Sequence, residues 1–210
     1  MDSWFERGWV WLSRCRRWAG LGGLAVAVMP SAADAHPHVW IDYELTVMFA
    51  KGRLTAVHQE WSFDEDFTAA VLRDIVGGQG AVKKLTPGDV AKIEKNAFSN
   101  LKNYDYFTHI FVGSGKVGVS EVKDFKAHLA GPKLIYDFTV PLAQPVDAKA
   151  QPVGIGIWDD TYYVDVGPAQ GQMPKLEGDG SASCHAVYFQ DHQHPIYFGS
   201  VFPTTVRITC

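Results

Sequence analysis

Two histidines flank a proline in "HPHVWID", His36-Pro37-His38, just ahead of Asp42. Imidazole nitrogens bind nickel, cobalt, copper and zinc. A cut after Ala35 would also expose the α-amine of His36. An N-terminal histidine then chelates through amine and ring, and His38 adds a second ring from the same strand face. Pro37 has no N–H, so a square-planar site of amine, two backbone amides and a third-position histidine cannot form fully. The geometry left is amine plus imidazoles. Asp42, Asp64, Glu60 and His58 are the expected further ligands, or groups that orient the ligands. The same residues also fit a polar strand face, and Asp64 also fits a helix cap.

A second histidine pair, His192 and His194 in "DHQHP", either joins the first or binds metal alone; a solvated loop is its plainer reading. His109, His128 and His185 stand isolated and read as structural or exposed. "WDDTYYVDV", 158-166, is dense in aromatics and acids, and its aspartates are read as turn caps rather than catalysts. The chain contains no G-x-S-x-G elbow, no H-E-x-x-H and no phosphate loop. Ser62 beside His58 and Asp64 is too little for a triad.

The elements that must position these residues begin with alternation. Val39, Ile41, Leu45, Val47 and Phe49 alternate with polar residues, as do Val57, Trp61 and Phe63 after the turn at Lys51-Gly52. Period two predicts two half-buried strands in a hairpin. A two-residue loop alone would oppose the apolar face of one to the polar face of the other. A three-residue loop with a bulge is therefore expected, pairing Ile41 with Trp61, Leu45 with Val57, Asp42 with Glu60, Glu44 with His58 and His38 with Asp64. Opposed acids repel, so a cation or histidine is expected between them.

Asp64 then caps a helix to about Val76, with Glu65 and Asp66 in its first turn and Gly77-Gly78 ending it. Thr86, Pro87 and Asp89 start a second, with Val90, Ile93, Ala97 and Leu101 at helical spacing. Strands are predicted at 106-112, 116-121, 133-140, 152-158, 161-166, 184-190 and 203-209, and a flexible loop at 167-181. The fold class is mainly β: an antiparallel β-sandwich, immunoglobulin-like, with a two-helix insertion at about 64-103 after the first hairpin.

Arg14, Arg16 and Arg17 precede the apolar run "WAGLGGLAVAVM" and then Ala33-Asp34-Ala35. That order predicts a signal peptide over 1-35, cleaved after Ala35. The apolar run is shorter than the roughly 20 residues that span a bilayer. The opening "MDSWFERGWVWLS" is long for such a signal, which points to a start codon further on. One domain over 36-210 is expected, in the periplasm, with no membrane insertion of the mature chain. Lys+Arg falls from 19 to 15 and Asp+Glu from 23 to 20 on cleavage, a net charge near −5 without a basic patch. Nucleic acid is excluded as a partner on that ground. Cys184 and Cys210 remain, and export makes a disulfide between them the expectation.

"AHPHVWID", "EWSFDEDF", "NLKNYDYF", "FTVPLAQP" and "DDTYYV" occur in that order. Together they resemble the bacterial exported family of domain of unknown function 1007, from His36 to about Cys184. His36, His38 and Asp42 match its H-P-H-x-x-x-D opening, and Asp64 its F-D-E. The resemblance implies a periplasmic component of a transport system, found beside nickel or cobalt transporters. Similar proteins carry an acidic, calcium-loop-like stretch where 74-82 here does not, so calcium is not expected there. The functional expectation is a periplasmic accessory protein that binds a divalent transition metal and assists a membrane metal transporter. Nickel or cobalt is favoured by the resemblance; copper or zinc fits the ligands as well. Two other readings stand beside it. One is a metal-free docking module for a membrane partner. The other is a copper-dependent oxidase with an N-terminal histidine brace, which needs His109, His128 or His185 close to His36.

Overall fold

The computed structural model describes residues 37-77 and 82-210. The predicted signal peptide, its cleavage site and His36 lie outside the described residues, as does 78-81, the centre of the loop read as lacking a calcium pattern.

The alternating stretches form β1 (Val39–Ala50) and β2 (Arg53–Phe63), antiparallel. Their odd-numbered residues point inward, as period two requires, apart from a break near the turn. The connection is a two-residue turn in which Lys51 and Gly52 both take positive φ, 52° and 75°. Such turns follow the twist of the flanking strands. The parity problem is solved further in, by a bulge between Met48/Phe49 and Thr55. This corrects the expected register by two residues. Tyr43, not Ile41, opposes Trp61; Ile41 opposes Phe63; Glu44, not Asp42, opposes Glu60; His58 opposes Thr46. The faces are as expected, but the partners are not.

Asp64 caps α1 (Glu65–Val71), which widens into a π turn over Leu72–Val76 and stops at Gly77 with φ 78°. Thr86 and Asp89 form a reciprocal capping box at α2 (Pro87–Asn96). This helix ends sooner than its apolar spacing suggests. A 3-10 segment, Phe98–Phe107, takes over and buries Phe98.

Nine further strands follow among the described residues. They are β3 (Thr108–Val112), β4 (Gly115–Val117), β5 (Lys126–Ala130), β6 (Lys133–Val146), β7 (Val153–Ile157), β8 (Val164–Pro168), β9 (Lys175–Gly178), β10 (His185–Gln190) and β11 (Thr204–Thr209). One sheet runs β5-β6-β2-β1-β8, with β9 also on β1; the other runs β10-β11-β7-β3-β4. The protein is mainly β, in two largely antiparallel sheets. Two pairings depart from this: β8 and β9 both lie parallel to β1. β9 falls within the stretch read as flexible loop, and β5 had no predicted strand.

The sheets share one apolar core. Tyr43, Trp61, Tyr136 and Phe138 are its large, almost fully buried side chains. Trp61 meets Phe138 edge-on at 4.9 Å, a geometry worth about 0.5–1.5 kcal/mol beyond area burial. The Gln59 side chain sits among them. Gln59 donates to Thr108 Oγ1 and accepts from Trp61 Nε1, each at 2.8 Å. It joins the two sheets while satisfying a buried indole N–H. Cys184 and Cys210 form the expected disulfide, tying the residue before β10 to the residue after β11.

Candidate functional site

His38 is exposed and precedes β1. The parallel β1/β8 pair sets Val39 beside Val164 and so brings "HPHV" against "TYYV". The His38 N–H donates to the Tyr163 carbonyl at 2.9 Å, and the two rings lie 4.7 Å apart. Asp159 holds the 158-164 turn. Its carboxylate accepts from Thr161 N–H and Oγ1 and from the N–H groups of Tyr163 and Val164. This is the turn-capping role expected of it.

A third segment packs here. Asp105, Tyr106 and Phe107 take consecutive left-handed conformations, φ 52°, 53° and 55°. Strain of this kind persists only where surrounding contacts over-determine it. Phe107 stacks on Trp61, its carbonyl accepts from Trp158 N–H at 2.9 Å, and Tyr106 Oη accepts from Val122 N–H. The motifs "HPHVWID", "NYDYF" and "WDDTYYV" thus meet beside the start of β1. A cleft of about 400 Å³ there is lined by Tyr104, Asp105, His109, Lys116, Trp158 and Asp160. Lys116 pairs with Asp105 at 3.0 Å. A second cleft, about 570 Å³, lies between Asp160, Thr161, Tyr163, Tyr197 and the fully exposed Phe198.

His109 stacks on Trp158 at 4.2 Å, with its Nε2–H donating to the Trp158 carbonyl at 3.0 Å. Burial holds its pKa below the ordinary histidine value, opposed by that hydrogen bond and by Asp160. It is buried and serves the packing, the structural one of the two roles the sequence left open to it.

The other expected ligands stay apart. Asp42 lies on the outer face, four residues along the strand from His38, about 13 Å at strand rise, and pairs with Lys133 Nζ at 3.5 Å. Asp64 accepts from Phe67 N–H at 2.7 Å and from Trp40 N–H at 2.8 Å, one bond to each oxygen. Glu60 and His58 lie further down the same face. Glu60 belongs to a cross-strand row, Glu44–Glu60–Asp137, with Lys175 on Glu44 at one end and Lys126 on Asp137 at the other. The lysines reach this row from strands β9 and β5, which the sequence did not reveal; the expected Asp42–Glu60 pair, with a cation between its acids, does not form. His58 Nδ1 meets Thr139 Oγ1 at 3.2 Å, and its Nε2 is 3.9 Å from Asp137. Among the described residues, no group of three or more His, Cys, Asp or Glu side chains is gathered as a metal site.

The pair His192 and His194 separates. His192 packs on Phe202. His194 stacks on Phe111 at 3.9 Å, and its Nδ1–H donates to Asp191 Oδ2 at 2.8 Å. Asp191 is 3% exposed and also accepts from Gln193 N–H, His194 N–H and Thr205 Oγ1. Burial pushes its pKa up, but the His194 ring and these N–H donors outweigh it, so the carboxylate sits below its ordinary value. The sequence flagged the two histidines but not Asp191, whose only signal was its position at the head of "DHQHP".

With this geometry in view, comparison with known proteins places the chain. The model of the family described as protein of unknown function (DUF1007) matches residues 21–197. The chain belongs to the DUF1007 family. One relative is an uncharacterized 15.5 kDa protein in the trpE 3' region of Spirochaeta aurantia. It is 33% identical over 144 residues, 66% of this chain and 96% of the relative. Another, an uncharacterized protein of Haemophilus influenzae, is 28% identical over 132 residues, 62% of this chain and 61% of the relative. The match to the second thus spans less than two thirds of that relative's length. The DUF1007 match takes in all three motifs that meet around Tyr163.

Proposed function

We propose that this DUF1007 protein is an exported, periplasmic accessory factor of a membrane metal transporter. It binds a divalent transition metal, nickel or cobalt first, at an N-terminus that begins with His36. The ligands are the α-amine and ring of His36 and the ring of His38. The observation that carries this reading is the placement of His38. It is exposed, and its N–H is pinned to the Tyr163 carbonyl. A pre-positioned ring lowers the entropy lost on chelation. The disulfide supports the reading too, being compatible with an oxidising compartment. Asp42 and Asp64 are left out of this ligand set, one by distance and one by its cap. The scaffold is an immunoglobulin-like sandwich in which the pair α1 and α2 is an insertion.

The test has two parts. Mass spectrometry of the exported protein is expected to find His36 first. Titration with nickel, cobalt, copper and zinc is expected to show binding at least about tenfold tighter than for a His36→Ala/His38→Ala variant. Equal, weak binding by both proteins would sink the metal reading. In that event the metal-free docking module is favoured by a separate observation, the fully exposed Phe198 at the rim of the cleft formed with Tyr163 and Tyr197.

A further inference from the structure

The outer face of the β10-β11-β7-β3-β4 sheet carries a notch of about 200 Å³ that the metal reading does not use. Its origin is a missing side chain. Arg207 on β11 pairs with Gly154 on β7, and Gly154 pairs with Phe111 on β3. Arg207 and Phe111 therefore stand two strand spacings apart, about 10 Å, with bare backbone between them. The Arg207 guanidinium lies 4.4 Å from the centre of the Phe189 ring. That contact orients an arginine while leaving its N–H edges available. Arg207 forms no ion pair with any described residue. On the opposite wall His194 stacks on Phe111, with Nδ1 committed to Asp191. Nε2 is the ring's remaining polar atom. Asp191 is turned away from a ligand role by its own donors, which occupy both oxygens.

We propose that this notch binds a small organic carboxylate. The guanidinium of Arg207 takes the carboxylate oxygens in its two-pronged fork, and the ring of His194, held by Asp191, walls the opposite side of the same ligand. The floor over Gly154 admits the ligand because no Cβ stands there. A volume of about 200 Å³ lies below that of drug-sized sites, which suits a short mono- or dicarboxylate. The site is independent of the N-terminal metal reading and shares no residue with it.

The test is amide chemical-shift titration of the purified protein with succinate. Parallel arms use inorganic phosphate and a short peptide with a free or an amidated C-terminus. Succinate is expected to shift Gly154, Phe111 and Gln193 amides. Arg207→Gln is expected to weaken binding about tenfold or more, since a hydrogen-bonded charge is lost. Arg207→Lys keeps the charge without the fork and is expected to fall between the two. Gly154→Ala provides a steric arm. A Cβ there meets Phe111 and Thr205 at 3.7 and 3.8 Å, ordinary contact distances, so the fold is retained while the floor is filled. Unchanged affinity in Arg207→Gln and Gly154→Ala would overturn the site. Absence of any succinate shift would do the same. A preference for phosphate, or for the free-ended peptide over succinate, would overturn the assignment to a small carboxylate.

Discussion

Replacing Asp64 by alanine separates its structural role from the ligand role its sequence position suggested. Both carboxylate oxygens are engaged, Oδ1 by Phe67 N–H at 2.7 Å and Oδ2 by Trp40 N–H at 2.8 Å. Loss of the cap costs about 1 kcal/mol. The Trp40 bond is charge-assisted, worth about 1.5–3 kcal/mol when buried. Trp40 is 49% exposed, so water replaces part of it, and about 1 kcal/mol is the fair share. Loss of negative charge at the helix start adds about 0.3–1 kcal/mol. The sum is about 2–3 kcal/mol, or a drop in Tm of roughly 4–12 °C for a domain of this size. Asp64→Asn keeps one acceptor for the cap and is expected to lose about half as much. Urea unfolding of the three proteins measures this directly. Metal titration of the same variants is expected to show no change beyond that of the unsubstituted protein. A stability loss under about 0.5 kcal/mol in Asp64→Ala, or a metal affinity that falls as it does for His38→Ala, would refute the assignment of Asp64 to the cap.

Three further outcomes follow from the packing. Gly156→Ala sets a Cβ into the Trp158 ring, which also stacks on His109; such overpacking costs about 3 kcal/mol, and an unfolding midpoint equal to that of the parent protein would contradict the placement of Trp158. The buried His109 has a folded-state pKa below its unfolded value, so its contribution is full above about pH 6.5 and is lost as the pH falls, because the unfolded chain takes the proton more readily. Stability is accordingly expected to decline from pH 7 to pH 5 with a slope that flattens in His109→Gln, as read by denaturant midpoints across that range. Reduction of Cys184–Cys210 opens a loop with a separation of 26 residues, for which chain entropy predicts a loss of about 3.5 kcal/mol; calorimetry with and without reductant is expected to show it, and a loss below about 1 kcal/mol would run against the loop-entropy argument.

What the sequence determined by itself was local. Alternation placed Ile41, Leu45, Val47 and Val57 inside, because side chains on a strand change face at every residue. Asp64 and Thr86 marked helix starts, because a short acceptor side chain ahead of an apolar run satisfies free N–H groups. The need for a bulge was legible from parity, and the disulfide from two cysteines in a chain with an export signal pattern. The tertiary structure decided everything that joins distant segments. Register moved by two residues, a shift that preserves both faces and so leaves no trace in the pattern. The parallel partners β8 and β9 reach β1 from more than 100 residues away, and β9 alone supplies Lys175 to Glu44. "NYDYF" gave no sign of three left-handed residues, since that conformation is imposed by Trp61 and Trp158 and not by local preference. The histidines were visible as residue types, but their fates were not: His38 went to Tyr163, His58 to Thr139, and His194 to Asp191. A strand carries its side chains in line, about 6.6 Å between neighbours on one face. Residues that share a face in sequence are therefore spread along it, and only a crossing segment from elsewhere in the chain can gather a site.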